Sequence, residues 1–337
     1  MHFEPIGGPA AWQGQQLFET HRWPLRLTAA DLDELTTAVS NTAALPLVAL
    51  SRDNFELPQL APKLASLQTE LEEGCGAILI KGCDIERFSA DASQRMFYGL
   101  TTHLGTAVSQ SSGGDIVFNV RDEGYKTADA KTRGPNTSQR LSFHTDRCDV
   151  IAFLCLQQAI TGGENQIVSS VAVYNQILSE RPDLLQILSQ PFYYKRHNVD
   201  AGNADAYCQQ PIFSFCEGRF ASAFLRVLID RAYADRNTPE MTAPQKEALD
   251  FVEEVCARQT MHVEFRQEPG DILLLNNWIT YHRRNAFQDH KDIARRRHLL
   301  RIWLAMPNSR PLDLAFLANY GAIEAGALRG GMKSAVE

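Results

Sequence analysis

Apolar residues recur along this chain with two different periods, and the points where the period changes outline its elements. Leu32, Leu35 and Val39 return at helical spacing, which predicts a helix over Thr28–Ser40 with Thr28 placed to cap it. Leu60, Leu64, Leu67 and Leu71 form one stripe of a second helix, Pro58–Glu73, which Gly74 ends. Ser89 opens a third that runs to Leu104 and stops at Gly105. Between the last two, Ala77-Ile78-Leu79-Ile80 is a short buried strand flanked by Gly76 and Gly82.

Beyond residue 140 strands dominate. Leu141–Asp146 and Asp149–Gln157 read as strands, and Gly162-Gly163 as a turn. A helix over Ser170–Ser179 is closed by Arg181-Pro182, and Tyr193–Phe220 alternates short strands with turns. Two helices follow, Phe224–Arg236 and Thr242–Arg258, the second opened by a Thr242-x-x-Gln245 capping box with Pro244 in its first turn. Met261–Arg266, Ile272–Leu275, Trp278–His282 and His298–Met306 close the pattern as strands, with Pro269-Gly270-Asp271 as a turn. In Met261–Arg266 the polar set His262, Glu264 and Arg266 predicts a solvated outer face.

Ser109–Gln139 has neither period and is rich in Ser, Gly, Asp, Lys and Thr. A loop this long is functional or disordered, so a substrate-covering lid and an insertion without a role both stand. The whole predicts an α+β, mainly β chain: a β-sandwich or jelly roll decorated by helices. No repeat or shift in composition divides it. We therefore expect one domain, with a helical lead-in over 1–75, a core over 76–310 and a tail over 311–337.

Composition narrows the function classes. Of 337 residues, 44% are apolar and 22% charged, a balance that supports a large core. The net charge of −7 and pI near 5.8 give no basic footprint for nucleic acid. Seven cysteines without a C-x-x-C indicate neither a disulfide framework nor a zinc ribbon, but reduced and mostly buried thiols. The N-terminus lacks a signal-peptide pattern and no apolar run is long enough for a membrane span, so a cytoplasmic enzyme acting on a small molecule is expected. Assembly into a homo-oligomer is left open.

The candidate chemistry starts at His144 and Asp146, two apart on a strand and hence on one face. Nine histidines and 40 acidic residues produce roughly one H-x-[DE] by chance, and the chain holds four: His144/Asp146, His262/Glu264, His290/Asp292 and, at the N-terminus, His2/Glu4. Only the first lies in a segment that reads as buried. His282, at the end of an apolar strand, is either a third ligand or a satisfied core residue. Arg301 lies inside His298-Leu299-Leu300-Arg301-Ile302-Trp303-Leu304, where an unpaired charge is costly, so it faces a protein carboxylate or an anionic ligand. Two histidines and one carboxylate on one metal leave three positions open, as in the facial triad of non-haem iron(II) oxygenases. A 2-oxo acid and then dioxygen could fill those positions, and a carboxylate at the far end of the acid would account for Arg301 as well as a structural ion pair does. Arg147, Arg226, Arg284 and Asn119 are further groups for an anionic substrate, with Phe118, Phe143 and Trp278 as lining or core.

His144-Thr145-Asp146, the Gly162-Gly163 turn, Pro269-Gly270-Asp271, His282 and Arg297-His298-Leu299-Leu300-Arg301 together resemble the TauD/TfdA family of iron(II)- and 2-oxoglutarate-dependent dioxygenases, over roughly residues 75–310. The resemblance implies a double-stranded β-helix, or jelly roll, with flanking helices. It implies His144, Asp146 and His282 as iron(II) ligands and Arg301 as partner of the 2-oxoglutarate C5 carboxylate. Asn165 stands where the family often has Thr near that carboxylate, and Arg297 matches a second family arginine. The expected reaction consumes O2 and 2-oxoglutarate, releases succinate and CO2, and oxidises a C–H bond by hydroxylation, desaturation or cyclisation. A zinc-type jelly-roll metalloprotein and a non-catalytic ligand-binding jelly roll are the competing readings.

Overall fold

The computed structural model describes residues 3–20, 23–124, 134–196 and 205–332. Its long apolar strands assemble into a seven-stranded sheet in the order Pro24–Arg26, Ala77–Lys81, Ile272–Asn276, Val150–Gln157, His298–Ala305 and Thr106–Val108, with Phe118–Val120 also paired to His298–Ala305. Every pairing in it is antiparallel except the first. A three-stranded antiparallel sheet, His262–Phe265, Asn165–Ser169 and Thr280–Arg284, lies opposite.

Strand alternation decides what each face meets. Leu300, Ile302 and Leu304 of the large sheet pack with Ile78, Ile80 and Leu274 under the helices Ala29–Asn41, Ala61–Glu73 and Ala90–Thr102. The opposite set, Trp303 with Ile151, Leu273 and Leu275, meets Ile167 and Val263 of the small sheet. Arg301 lies on this inner face between Leu299 and Trp303, so a charge is built into the space between the sheets. The outer face of the small sheet, with Val168, Met261 and Tyr281, is covered by helices Ser170–Glu180 and Ala243–Ala257. The molecule is thus a mixed α and β stack with the two sheets as its inner layers.

Several expectations are corrected. His262 is buried rather than solvated, because the helix Ala243–Ala257 covers that side and the Cys256 carbonyl takes its Nδ1 at 3.0 Å. Pro182 does more than close a helix: it sits in the first turn of another, Pro182–Leu188, where its missing N–H costs nothing. The strand expected over Trp278–His282 runs over Thr280–Arg284, since Asn276 folds the chain into a turn through Trp278 N–H (2.8 Å) and Thr280 Oγ1 (2.7 Å). Within Ser109–Gln139, Phe118–Val120 is a strand, recruited by the open edge of His298–Ala305. Residues 125–133 of that stretch lie outside the described residues.

Candidate metal centre

The short bridge between His144 and His282 builds the site. Each backbone N–H donates to the other's carbonyl at 3.0 Å, so the two residues stand directly opposite and their ring centroids are 4.4 Å apart. Asp146 follows two positions on and faces the same way, its N–H held by Asn277 Oδ1 at 3.0 Å. Thr145 points away, accepting the Phe224 N–H at 3.0 Å. One ligand atom from each of His144, Asp146 and His282 lies within 4.8 Å of the others, and His282 Nε2 is 3.7 Å from Asp146 Oδ2. Among the described residues this is the only such group.

The donor chemistry suits a divalent ion. His144 Nδ1 pairs with the Ser142 carbonyl at 2.9 Å, which places its proton there and leaves Nε2 as a lone-pair donor. Burial, and then the nearby His144, depress the His282 pKa to about 3, so its imidazole is neutral as a ligand must be. Phe153, from the central strand, sets its ring edge-on to His282 at 5.9 Å and closes that side. Of the other H-x-[DE] pairs, Glu264 is held by Gln166 and Asn285, and His290/Asp292 lies in an exposed loop.

The inner face carries three buried arginines. Arg301 Nη1 is 3.5 Å from Asp146 Oδ2, its Nε donates to Gln110 Oε1 at 2.6 Å, and Gln110 returns a bond to the Arg301 carbonyl at 2.8 Å. Its guanidinium is 5.0 Å from the Phe118 ring centre and 4.9 Å from that of Trp303, and its Nη2 lacks a partner among the described residues. Arg297 is 1% exposed, yet its Nε and Nη1 have no acceptor among the described residues. Arg284, two positions past His282, donates to the Gln139 carbonyl, and its Nη1 has no acceptor among the described residues. Both guanidiniums lie near the Phe287 ring, at 4.6 Å for Arg284 and 5.2 Å for Arg297. Burial lowers the Arg297 pKa to about 10, and burial with the neighbouring Arg297 lowers that of Arg284 to about 9. Gly163 makes room there: its φ is +76°, and a Cβ would come within 3.0 Å of Arg297 Nε. Asn165, paired across the sheet with Arg284, donates to Gln267 Oε1 at 3.0 Å.

The remaining candidates divide. Arg226 is tied to Asp230, Asp250 and Glu253, and Asn119 bonds His298 at 2.7 Å. Phe143 lies under Arg283 on the helix side of the small sheet, and Trp278 is core. Sequence reasoning missed Gln110, Phe153 and Asn277. Gln110 sits in a stretch with no period, and Phe153 looks like any core aromatic in an apolar run. Asn277 carried a signal, as a polar residue in an apolar stretch.

Residues 41–303 match the family described as "Taurine catabolism dioxygenase TauD, TfdA family". FR-33289 synthase of Streptomyces rubellomurinus is 32% identical over 334 residues, covering 96% of this chain and 97% of the relative. Asparagine oxygenase, solved with Fe(II), 2S,3S-3-hydroxyasparagine and succinate, superposes with a TM-score of 0.65 at 17% identity over 84% of this chain and 93% of that one. The non-heme iron oxygenase OrfP, solved with Fe and alpha-ketoglutaric acid, does so with a TM-score of 0.62 at 15% identity over 83% and 93%.

Proposed function

The chain belongs to the TauD/TfdA family and is an iron(II)- and 2-oxoglutarate-dependent dioxygenase, and from that premise we propose that it hydroxylates an unactivated C–H bond of a small molecule with release of succinate and CO2. We read the facing sheets as a double-stranded β-helix within a single catalytic domain. The observation that carries the proposal is the His144–Asp146–His282 group set beside buried guanidinium nitrogens that lack acceptors among the described residues. A zinc ion on the same ligands leaves those donors unexplained. Hydroxylation is favoured over desaturation or cyclisation because the asparagine oxygenase structure holds a hydroxylated amino acid with succinate.

In this reading His144, Asp146 and His282 hold iron(II) on one face. When bound, iron and 2-oxoglutarate supply open coordination positions and a two-electron reductant for dioxygen, which is the chemistry a C–H bond requires. The protein's own part is to orient and to exclude water. The resemblance implies Arg301 as partner of the far carboxylate of 2-oxoglutarate; its Nη1 lies 3.5 Å from Asp146 Oδ2, which favours a role at the chelating end instead. Arg297 is four residues earlier, immediately before the strand His298–Ala305, about 13 Å away along an extended chain at ~3.3 Å per residue. We assign the C5 carboxylate to Arg297, with Arg284 beside it, because their three nitrogens without acceptors among the described residues share one aromatic wall and match an anion with several acceptor sites. Arg301, fixed by Gln110, then faces the near end, and Asn165 flanks the far one.

The test is turnover in air with candidate substrates and the purified iron-loaded protein. Substrate-stimulated succinate, formed in step with a product heavier by one oxygen atom, is expected. Succinate coupled to a product lighter by two hydrogens would move the assignment to desaturation or ring closure.

A further inference from the structure

The family match ends at residue 303, yet the chain returns to the metal site after that point. Arg329, fully buried, donates from Nε to Asp149 Oδ1 at 2.7 Å and from Nη2 to the Arg310 carbonyl at 2.8 Å. Asp149 is fixed in turn by Trp278 Nε1 at 2.8 Å and the Met306 N–H at 2.9 Å. This anchor delivers three consecutive backbone donors. Gly330 N–H reaches the Tyr320 carbonyl, Gly331 N–H the Arg147 carbonyl and Met332 N–H the Ser109 carbonyl, each at 2.8 Å.

The last two acceptors matter for chemistry. The Arg147 carbonyl belongs to the residue directly after Asp146, so moving it turns the carboxylate. Ser109 directly precedes Gln110, whose carboxamide holds Arg301. One short segment therefore ties the loop that carries a metal ligand to the arm that carries the clamp on Arg301. The fit is tight: a Cβ on Gly330 would meet the Arg147 oxygen at 2.5 Å, and one on Gly331 would meet Val108 Cβ at 2.7 Å. Both glycines have positive φ, +78° and +66°. A segment serving only to cover the core requires no such approach to the peptide behind Asp146.

We propose that Arg329–Met332 is a positioning element of the metal site, holding Asp146 and the Gln110–Arg301 pair in register from outside the family's matched region. The proposal rests on His144, Asp146 and His282 binding iron. Linkage makes it testable in the unaltered protein: if the segment orders the site, metal binding must order the segment. Hydrogen exchange is measured on the metal-free protein with and without iron(II) under nitrogen. Slowing of at least tenfold at the amides of Gly331 and Met332 is expected, and unchanged exchange there overturns the proposal.

Gly331→Ala is then compared with Gly326→Ala, whose added Cβ meets the Pro307 carbonyl at 2.5 Å in the same tail but away from the site. Both variants should lower Tm. Only Gly331→Ala should weaken iron(II) affinity, by tenfold or more, and shift the anaerobic 2-oxoglutarate charge-transfer band. Equal iron affinities in the two variants make the segment a merely structural strap. If the unaltered protein binds no iron at all, the functional reading itself has failed, which is a separate result.

Discussion

Arg297 and Arg301 differ less in sequence than in what they touch. Both are buried arginines, Arg301 within the strand His298–Ala305 and Arg297 immediately before it, and the run around Arg301 is legible as a charge that needs a partner. Which anion each serves was not legible, because reach depends on the bulge between His298 and Leu299 and on Gln110 locking Arg301 beside Asp146. The consequence is a ranking. Arg297→Gln should raise the KM for 2-oxoglutarate by about 10- to 100-fold, the range for a lost charge-assisted pair, with iron affinity unchanged. Arg301→Gln should lower kcat more than it raises that KM. Steady-state kinetics with varied co-substrate checks both, and the reverse ranking would return the far carboxylate to Arg301. The proposed metal ligands were more legible: their two-residue spacing put His144 and Asp146 on one side, although Leu141–Asp146 forms a single isolated bridge rather than the expected strand, and His282 joins them only through that bridge.

At the scale of elements, periodic segments were read well and the links between them poorly. The capping box at Thr242 and Gln245 is present, with Thr242 Oγ1 accepting the Gln245 N–H and Gln245 Oε1 accepting the Thr242 N–H. Thr242→Ala should cost about 1 kcal/mol, seen as a lower Tm by calorimetry with iron affinity unchanged. Phe118–Val120 was missed because three residues in a polar stretch carry no period. It becomes a strand only through the edge of His298–Ala305, and in doing so places Phe118 under Arg301. Gly163 is an element-scale device with a chemical effect. Gly163→Ala strains a positive φ and crowds Arg297, so co-substrate binding should weaken while the iron site is spared. Titration of 2-oxoglutarate against the iron-loaded variant measures this, and undiminished affinity would separate the turn from the arginine.

The whole molecule shows why His262 was misread. An alternating strand predicts a polar outer face only where no further layer covers it, and here two helices do. Burial in this stack depresses the pKa values of His262, His282 and His298, each of which folds neutral. The unfolded chain takes up those protons as pH falls through the ordinary histidine value of 6.5, whereas the folded chain takes them up only at lower pH. Stability is therefore full above pH 6.5 and lost progressively below it. The Tm of the metal-free protein should fall steadily between pH 7.5 and 5, and a flat profile would mean that the three rings are solvated. The buried Arg329–Asp149 and Arg310–Glu72 pairs, both at 2.7 Å, tie the tail to the layers, and no local pattern announces such long-range partners.

As proposed, three metal ligands and a two-arginine carboxylate receptor act on one co-substrate. Anaerobic titration of the protein with iron(II) and 2-oxoglutarate tests this proposal most directly, read as the weak visible charge-transfer band of the chelate. A saturable band is expected in the unaltered protein, lost in Asp146→Ala and recovered only at much higher 2-oxoglutarate in Arg297→Gln. A protein that binds iron but gives no band at any 2-oxoglutarate concentration would contradict it.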